Sequence, residues 1–432
     1  MGSSIDLSHV GNKISGEDLR LQRDTVADLL RRPTTNFPGA QPVSFARHHI
    51  EELQKRDYYL CEKTDGIRCL LYLTQFIDEH GQVNEMQFLI DRKNDYYFIA
   101  REAMHIPPEG DDLGAFHTGT VLDGELVLQK RSTGMRIAYL VFDMLAIDGE
   151  NIMNRPFDKR FGRANDLVYK PYRKFADRYA EDVAAQPFDI QLKDMQLPYG
   201  AEMMFRDVMP RLPHGNDGLI FTCVSTPYTP GTDKHILKWK PPHENTIDFR
   251  LEIAGFPETE DEDGKYEDWD AQPEIHLLVN HGKAGGNLYF ANLHLTDSEW
   301  ETLKRLNQVL DGRIIECYRD PATAHWRPKV EEDGTPRFRD DKTEANYIDT
   351  VDSVLQSIKD AVSEQELIAA APAIRAAYKE RAAARVREAH ETKKREAARA
   401  AHAHQQQQHA QVKREAAMKR EVEGDDGPKY ED

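Results

Sequence analysis

The run Lys63-Thr64-Asp65-Gly66-Ile67-Arg68 sets an amine, a turn and a guanidinium in close succession. The strand-like YYLCE delivers Lys63 to its end, Asp65-Gly66 reverses the chain, and Arg68 opens the next apolar run. A lysine so placed directs its amine over the sheet, where it can attack an electrophile or hold an anion. Alone, the pattern fits a hairpin with charged shoulders equally well. Further charges set in apolar runs tip the balance. Glu125 stands within VLDGELV, Asp217 just ahead of GLIFT, and Lys238 and Lys240 within ILKWKPP. The two lysines, at i and i+2, share one strand face with Trp239 on the other. Polar groups in such segments are costly to bury unless paired or used. Two lysines on one face require an anion, and phosphate is the natural candidate.

The segments that must carry these groups are mostly strands. YYLCEK, IRCLLYLTQFI, QFLIDR, YYFIA, TVLDGELVLQ and IAYLVFDMLAI follow one another, with Asp65-Gly66, Asp123-Gly124 and Asp148-Gly149 read as turns. Their Tyr, Ile, Leu and Val content suits antiparallel sheets better than βαβ units. Helices are expected over 14–31, where Ser15 begins a capping-box pattern, and around 157–168 and 200–209. A boundary is placed after Pro241-Pro242. Beyond it IDFRLEI, EIHLLVN, NLYFANLHL and RIIECYRD surround a helix announced by the capping box Thr296-Asp297-Ser298-Glu299. Short strands with one helix fit a Greek-key barrel of the OB type. The acidic stretch PETEDEDGKYEDWD reads as a solvated loop, and a helix over 349–361 closes this unit. The resulting α+β layout is a helical segment over 1–36, a sheet domain over 37–242, an OB-type domain over 243–365 and a charged helical or disordered tail over 366–432.

With 432 residues, 39% of them hydrophobic and 31% charged, the chain is ordinary for a globular protein of two or three domains. No apolar run nears the ~18 residues that span a bilayer. The opening MGSSIDLSHV has the form of neither a secretory signal nor a myristoylation site. Cys61, Cys69, Cys223 and Cys317 make no metal spacing, and their apolar neighbours mark them as buried thiols. A net charge of −18 argues against a protein that coats nucleic acid non-specifically. Residues 375–420 are the exception, with 13 Lys and Arg against 5 Asp and Glu and no apolar stripe.

Taken together, these residues resemble the covalent nucleotidyltransferases, and within them the mRNA capping guanylyltransferases of the fungal single-activity type. The resemblance rests on KTDGIR (63–68), DGELV (123–127), AYLVFDMLAIDG (138–149), DGLIFT (217–222) and ILKWKPPHENTIDF (236–249). FPGAQPVSF (37–45) and RFRDDK (337–342) are more particular to capping enzymes, and the match runs in order over about 37–360.

The resemblance implies that Lys63 attacks the α-phosphate of GTP, forming a lysine–GMP phosphoramidate and releasing pyrophosphate. Attack needs the neutral amine, which cations at Arg68, Lys238, Lys240 and a metal would favour. It also implies that Arg68 and Glu125 hold the ribose hydroxyls, that Phe142 stacks on guanine and that Lys193 donates to the guanine carbonyl. Lys238 and Lys240 would stabilise charge on the α-phosphate. Glu125 and Asp217 would serve a divalent metal, Mg2+ or Mn2+. Arg339, Asp341 and Lys342 would clamp the β- and γ-phosphates, although an insertion separates Trp326 from Arg337. Asp248 falls in the same motif as the lysine pair, with no role evident.

The acceptor implied is RNA with a 5′-diphosphate end, and the location the nucleus. About 62 residues precede Lys63 and no HCxxxxxR motif occurs. An RNA 5′-triphosphatase is therefore expected on a separate subunit, with the phosphorylated tail of RNA polymerase II as a further partner and no membrane association. Two readings compete: an ATP-dependent polynucleotide ligase sharing the lysine motif, and a catalytically silent adaptor that binds RNA or the polymerase tail.

Overall fold

The computed structural model describes residues 5–100, 103–110, 112, 114–261, 264–331 and 333–423. In chain order its strands begin β1 Asn12–Lys13, β2 Ala40–Ser44, β3 Tyr58–Thr64, β4 Ile67–Ile77, β5 Val83–Asp91, β6 Tyr96–Phe98, β7 Thr120–Arg131, β8 Gly134–Ile147, β9 Glu150–Asn151 and β10 Asp189–Leu192. They continue β11 Asn216–Cys223, β12 Gly231–Trp239, β13 Thr246–Gly255, β14 Glu258–Asp261, β15 Gly264–Glu267, β16 Glu274–Asn280, β17 Asn287–Asn292, β18 Ile314–Arg319 and β19 Trp326–Pro328.

Two sheets carry the first part of the chain. One runs β1-β6-β5-β4-β7-β8-β10 with β9 on β8, and the other β2-β12-β11-β3. Pairing is antiparallel except for β10 on β8 and β2 on β12. The unbroken apolar run of β4 has a simple cause, since both faces of its sheet are covered. Leu71 and Leu73 pack with Val168, Tyr172 and Phe188 on one side. Leu70 and Tyr72 pack with Val26 and Leu30 on the other. The second sheet buries Leu60, Phe221, Leu237 and Trp239 against Leu53, Met204, Val362, Leu367 and Ile374.

Several expectations are corrected. Asp65-Gly66 is only a bend, not a hairpin turn, and the strands it joins do not pair: β3 pairs β11, whereas β4 pairs β5 and β7. Lys63 and Arg68 therefore belong to different sheets. Asp123-Gly124 is no turn either and lies within β7, where the register against β8 slips. A Cβ on Gly124 would stand 2.5 Å from the Tyr139 ring, so glycine serves close packing there. Ser15 sits at the N-cap of the helix Gly16–Leu29 without a side-chain cap bond. The helix expected over 200–209 is a short turn, Ala201–Met203, continued in wider π-type winding over Met204–Val208. The acidic stretch forms an antiparallel hairpin, β14 with β15, instead of a loop. All four cysteines are buried free thiols.

A third sheet follows in the order β17-β16-β13-β18-β19. Its two edges meet through a parallel bridge between Leu293 and Trp326, where the His294 amide donates to the Trp326 carbonyl at 2.8 Å. Helix Asp297–Leu306 connects β17 to β18, and its capping box is complete. The Thr296 amide donates to Glu299 Oε2 at 2.7 Å, and the Glu299 amide to Thr296 Oγ1 at 3.3 Å. Thr296→Ala should therefore cost about 1 kcal/mol, read as a lower urea midpoint with an unchanged slope.

The chain divides into two compact units, Met1–Ile374 and Arg375–Asp432. Leu367 and Ile374 are the last buried apolar side chains of the first. The second is helical to Glu423, with Ala and charged side chains exposed along most of its described length. The end of the tail, residues 424–432, lies outside the described residues.

Candidate active site

Lys63, Arg68, Glu125, Phe142, Lys193 and Lys238 all line one cavity of about 520 Å³ between the first two sheets. Because β3 and β4 part at Asp65-Gly66, Lys63 is presented from one sheet and Arg68 from the other. The anion-binding character expected of this region has a structural basis on each side.

On the β3 side, the ladder with β11 slips by one residue. Asn216 faces Thr64 and Gly218 faces Lys63, leaving Asp217 as the extra residue of a bulge. Gly218 permits the bulge. It has φ +151°, and a Cβ there would lie 2.1 Å from the Trp239 carbonyl oxygen. Asp217 then reaches both lysines: Lys63 Nζ is 2.7 Å from Oδ1 and Lys240 Nζ is 2.6 Å from Oδ2. Burial works to raise the Asp217 pKa, but the two ammonium groups outweigh it and hold the carboxyl below its ordinary range. The sequence had surrounded Lys63 with cations and a metal; it also has a carboxylate in direct contact.

Lys238 projects into the cavity from β12 while Trp239 is buried behind it, its Nε1 donating to the Val362 carbonyl at 2.8 Å. Burial, Lys240, Lys63 and Arg92 together push the Lys238 pKa down. Among the described residues no carboxylate lies within 4.0 Å of its amine. An incoming anion would relieve that excess positive charge.

On the β4 side, Arg68 is held by a forked pair to Asp123, Nε to Oδ1 at 3.1 Å and Nη2 to Oδ2 at 2.7 Å. The Ala40 carbonyl accepts from Nη1. Asp123 is fully buried and also accepts from the Tyr228 hydroxyl at 2.6 Å. Burial disfavours the Arg68 charge, and Asp123 with Tyr228 more than restores it. Glu125 pairs in register with Arg68 across β4 and β7. Burial raises the Glu125 pKa against the pull of Lys193 and Lys63.

Phe142 faces the same space, with the Arg68 guanidinium 5.5 Å and Lys193 Nζ 5.8 Å from its ring centre. Lys193 is buried just past β10. Its Nζ donates to the Glu62 carbonyl at 2.9 Å and lies 3.9 Å from Glu125 Oε2. Burial works to lower the Lys193 pKa, and Cys61, Glu62 and Glu125 raise it above the ordinary value.

Arg339, Asp341 and Lys342 are brought together elsewhere and do not line this cavity. The segment pairs beside β18, with the Arg339 amide donating to the Ile314 carbonyl at 2.8 Å. Arg339 forks onto Asp341 at 2.9 Å through both Nε and Nη2, while Nη1 approaches Asp248 at 3.2 Å. Lys342 also donates to Asp248. Asp248, which had no evident role, is the buried carboxylate that gathers these two cations.

Among the described residues no three metal-ligating side chains cluster. Asp217 already carries two lysines, and Glu125 has Lys193 as neighbour. That donor set suits a Mg2+-type ion bound chiefly through substrate phosphates with one or two carboxylates, and it does not suit a cage made by the protein alone.

Asp123 and Tyr228 were not singled out from sequence. Asp123 carried the same signal as Glu125, a carboxylate within an apolar run, and the following glycine disguised it as a turn. Tyr228, in the STPYTPG loop, carried none, since only the fold brings it to Asp123. The buried pair of Arg160 with Asp143, at 2.8 and 2.7 Å, was not singled out either, although Asp143 stands in the apolar run of β8 as Glu125 does in that of β7.

A sequence model of the mRNA capping enzyme catalytic domain matches residues 6–242, and one of the mRNA capping enzyme C-terminal domain matches residues 244–368. The chain is 46% identical to the mRNA-capping enzyme subunit alpha of Neurospora crassa, over 88% of this chain and 96% of that one. It is 45% identical to its counterpart in Yarrowia lipolytica, over 82% and 87% respectively. For the Schizosaccharomyces pombe subunit the identity is 44%, over 84% and 87%. Among solved structures, a mycobacterial DNA ligase D complexed with ATP and MES aligns with 70% of this chain and 95% of that one, at 16% identity and a TM-score of 0.30.

Proposed function

The chain belongs to the mRNA capping enzyme family and is a GTP:RNA guanylyltransferase, and we propose that Lys63 is the residue on which GMP is carried. The observation that supports this most is the lining of a nucleotide-sized cavity by Lys63 and Lys238, with Lys63 and Lys240 both held on the bulge-borne Asp217.

In the first step Lys63 Nζ bonds to the α-phosphorus of GTP. The bond from that phosphorus to the bridging oxygen breaks, pyrophosphate leaves with the electron pair, and the amine gives up its protons to solvent. Lys238 and Lys240 neutralise charge on the α-phosphate oxygens. The triphosphate competes with Asp217 for Lys63 and Lys240, so substrate arrival itself frees the amine. Phe142 takes the guanine on its face, Lys193 donates to the guanine carbonyl, and Arg68 with Glu125 holds the ribose hydroxyls. Asp123 and Tyr228 act through Arg68 by locking its fork. Glu125 and Asp217 would hold a Mg2+ or Mn2+ ion, which supplies charge neutralisation on the leaving phosphates. In the second step an oxygen of the RNA 5′-diphosphate attacks the same phosphorus, the P–N bond breaks, and Lys63 is reprotonated.

The layout we propose is a nucleotidyltransferase domain over 37–242 and an OB-type domain over 243–365, with 1–36 and 366–432 as flanking segments. The five-strand order, the closing bridge at Leu293 and Trp326 and the helix between β17 and β18 support the OB reading. Arg339, Asp341 and Lys342 then reach the β- and γ-phosphates only when that domain closes over the cavity, which also excludes water. A separate RNA 5′-triphosphatase subunit and the phosphorylated polymerase II tail are proposed partners, with the nucleus as location. The relatives' designation as an alpha subunit supports the first. Among the described residues no helix is long and apolar enough to cross a membrane.

Label transfer tests the substrate. Radiolabelled GTP should give a covalent adduct that passes to diphosphate-ended RNA; labelling by ATP instead would favour a ligase, and no label at all an adaptor. Deleting residues 375–432 should leave adduct formation within about twofold of the full chain, since Ile374 is the last buried side chain of the first unit. A truncated protein that cannot be labelled would contradict that boundary.

A further inference from the structure

We propose that the acceptor RNA strand lies in a second groove, adjoining the nucleotide cavity and sharing Lys238 with it, where Lys234 takes its backbone phosphates. The proposal rests on the guanylyltransferase reading and assigns its second substrate a place. The groove, of about 900 Å³, lies between β12, the segment 42–56 and helix Ile348–Lys359. Lys234, His235 and Lys238 of β12 form one wall, and Ser353, Gln356 and Ser357 of the helix face them.

The groove's charges are unevenly compensated. Glu51 is 3.4 Å from Lys55, Glu52 is 3.2 Å from Arg56, and Asp360 accepts from Gln356 at 2.5 Å. Glu51 and Glu52 thus have cationic partners and Asp360 a neutral amide, whereas among the described residues no carboxylate lies within 4.0 Å of Lys234 or Lys238. Two uncompensated lysines on one strand, in a chain of net charge −18, form a local attractor for a polyanion. The register of β12 against β2 breaks between Asp233 and Leu237, so Lys234 stands beyond the regular stretch that carries Lys238 and offers a separate contact to a bound strand. On the far wall the Ser353 hydroxyl supplies a neutral hydrogen-bonding group for ribose and phosphate oxygens, beside the Gln356 amide that donates to Asp360. An RNA end reacting with the GMP on Lys63, beside Lys238, can therefore continue into this groove without leaving contact with the protein.

The experiment compares Lys234→Ala/His235→Ala with the full-length wild type. Adduct formation from GTP should be unchanged. Single-turnover chase of the adduct with a diphosphate-ended 20-mer should show KM raised about fivefold or more at near-normal maximal rate. A dinucleotide 5′-diphosphate, too short to reach Lys234, should be used equally by both proteins. Fluorescence anisotropy of the 20-mer should give a log K against log[salt] slope shallower by about 0.7, and Lys234→Arg should restore it. The anisotropy arm stands apart from catalysis, so it tests the groove even if no adduct forms, an outcome that would instead sink the guanylyltransferase reading of Lys63. Unchanged KM and slope for the 20-mer would overturn the proposal. So would an equal loss with the dinucleotide, or a loss of phosphoserine-peptide binding with RNA binding intact.

Discussion

Lys63→Ala yields no detectable GMP adduct, at any GTP concentration, in a protein whose thermal unfolding stays within a few degrees of the wild type. The loss is complete if Lys63 alone carries GMP, and the variant tests this sharply because Lys238 also projects its amine into the cavity. Lys240 lies on the far oxygen of Asp217, and Lys193 is buried with its Nζ on the Glu62 carbonyl. Stability is spared because the Lys63 side chain is partly exposed and Asp217 keeps Lys240 as a partner. Lys63→Arg fails equally, since a guanidinium stays protonated and is no nucleophile. Full labelling of either variant would show that another residue carries GMP.

Arg339→Ala slows adduct formation by about 10- to 150-fold and leaves transfer to RNA near normal. The figure corresponds to one charge-assisted contact to phosphate, roughly 1.5–3 kcal/mol. The β- and γ-phosphates it would touch depart as pyrophosphate, so its work ends with the first step. Lys240→Ala behaves differently, because the α-phosphate stays through both steps and each needs its charge neutralised. The comparison is made by isolating adduct from each variant, formed slowly if need be, and chasing it with diphosphate-ended RNA in a single turnover. Equal transfer defects in the two variants would mean that the second domain also serves the RNA end. The structure sharpens this prediction, since Arg339 rests on Asp341 and Asp248 away from the cavity and must exchange those partners to act.

How much of this was legible in the sequence depends on the range of the interaction concerned. The strands that deliver Lys63, Glu125, Asp217 and Lys238 announce themselves by apolar composition, and the capping box at Thr296 is local chemistry. The opposition of Trp239 to Lys238 follows from strand alternation alone. What stayed hidden is pairing across long separations. Whether Asp65-Gly66 closes a hairpin or parts two sheets is decided by β11, about 150 residues later. Asp123-Gly124 carries turn residues, yet Tyr139 fills the space beside Gly124 and Arg68 claims Asp123, so the pair lies mid-strand. The gathering of Arg339 and Lys342 on Asp248 is likewise a tertiary fact, with about 90 residues between partners. In the acidic stretch, high charge was taken to mean a loop, whereas a two-stranded hairpin tolerates charge because both of its faces meet solvent.

The account's central claim is that one lysine, presented at the end of β3, carries the nucleotide. Intact-mass analysis after incubation with GTP and a divalent ion, followed by peptide mapping, measures this directly. The account predicts a single added GMP per chain, on the peptide containing Lys63, which disappears on chase with pyrophosphate or diphosphate-ended RNA. GMP mapped to any other lysine, or an adduct that forms with ATP and not with GTP, would contradict it.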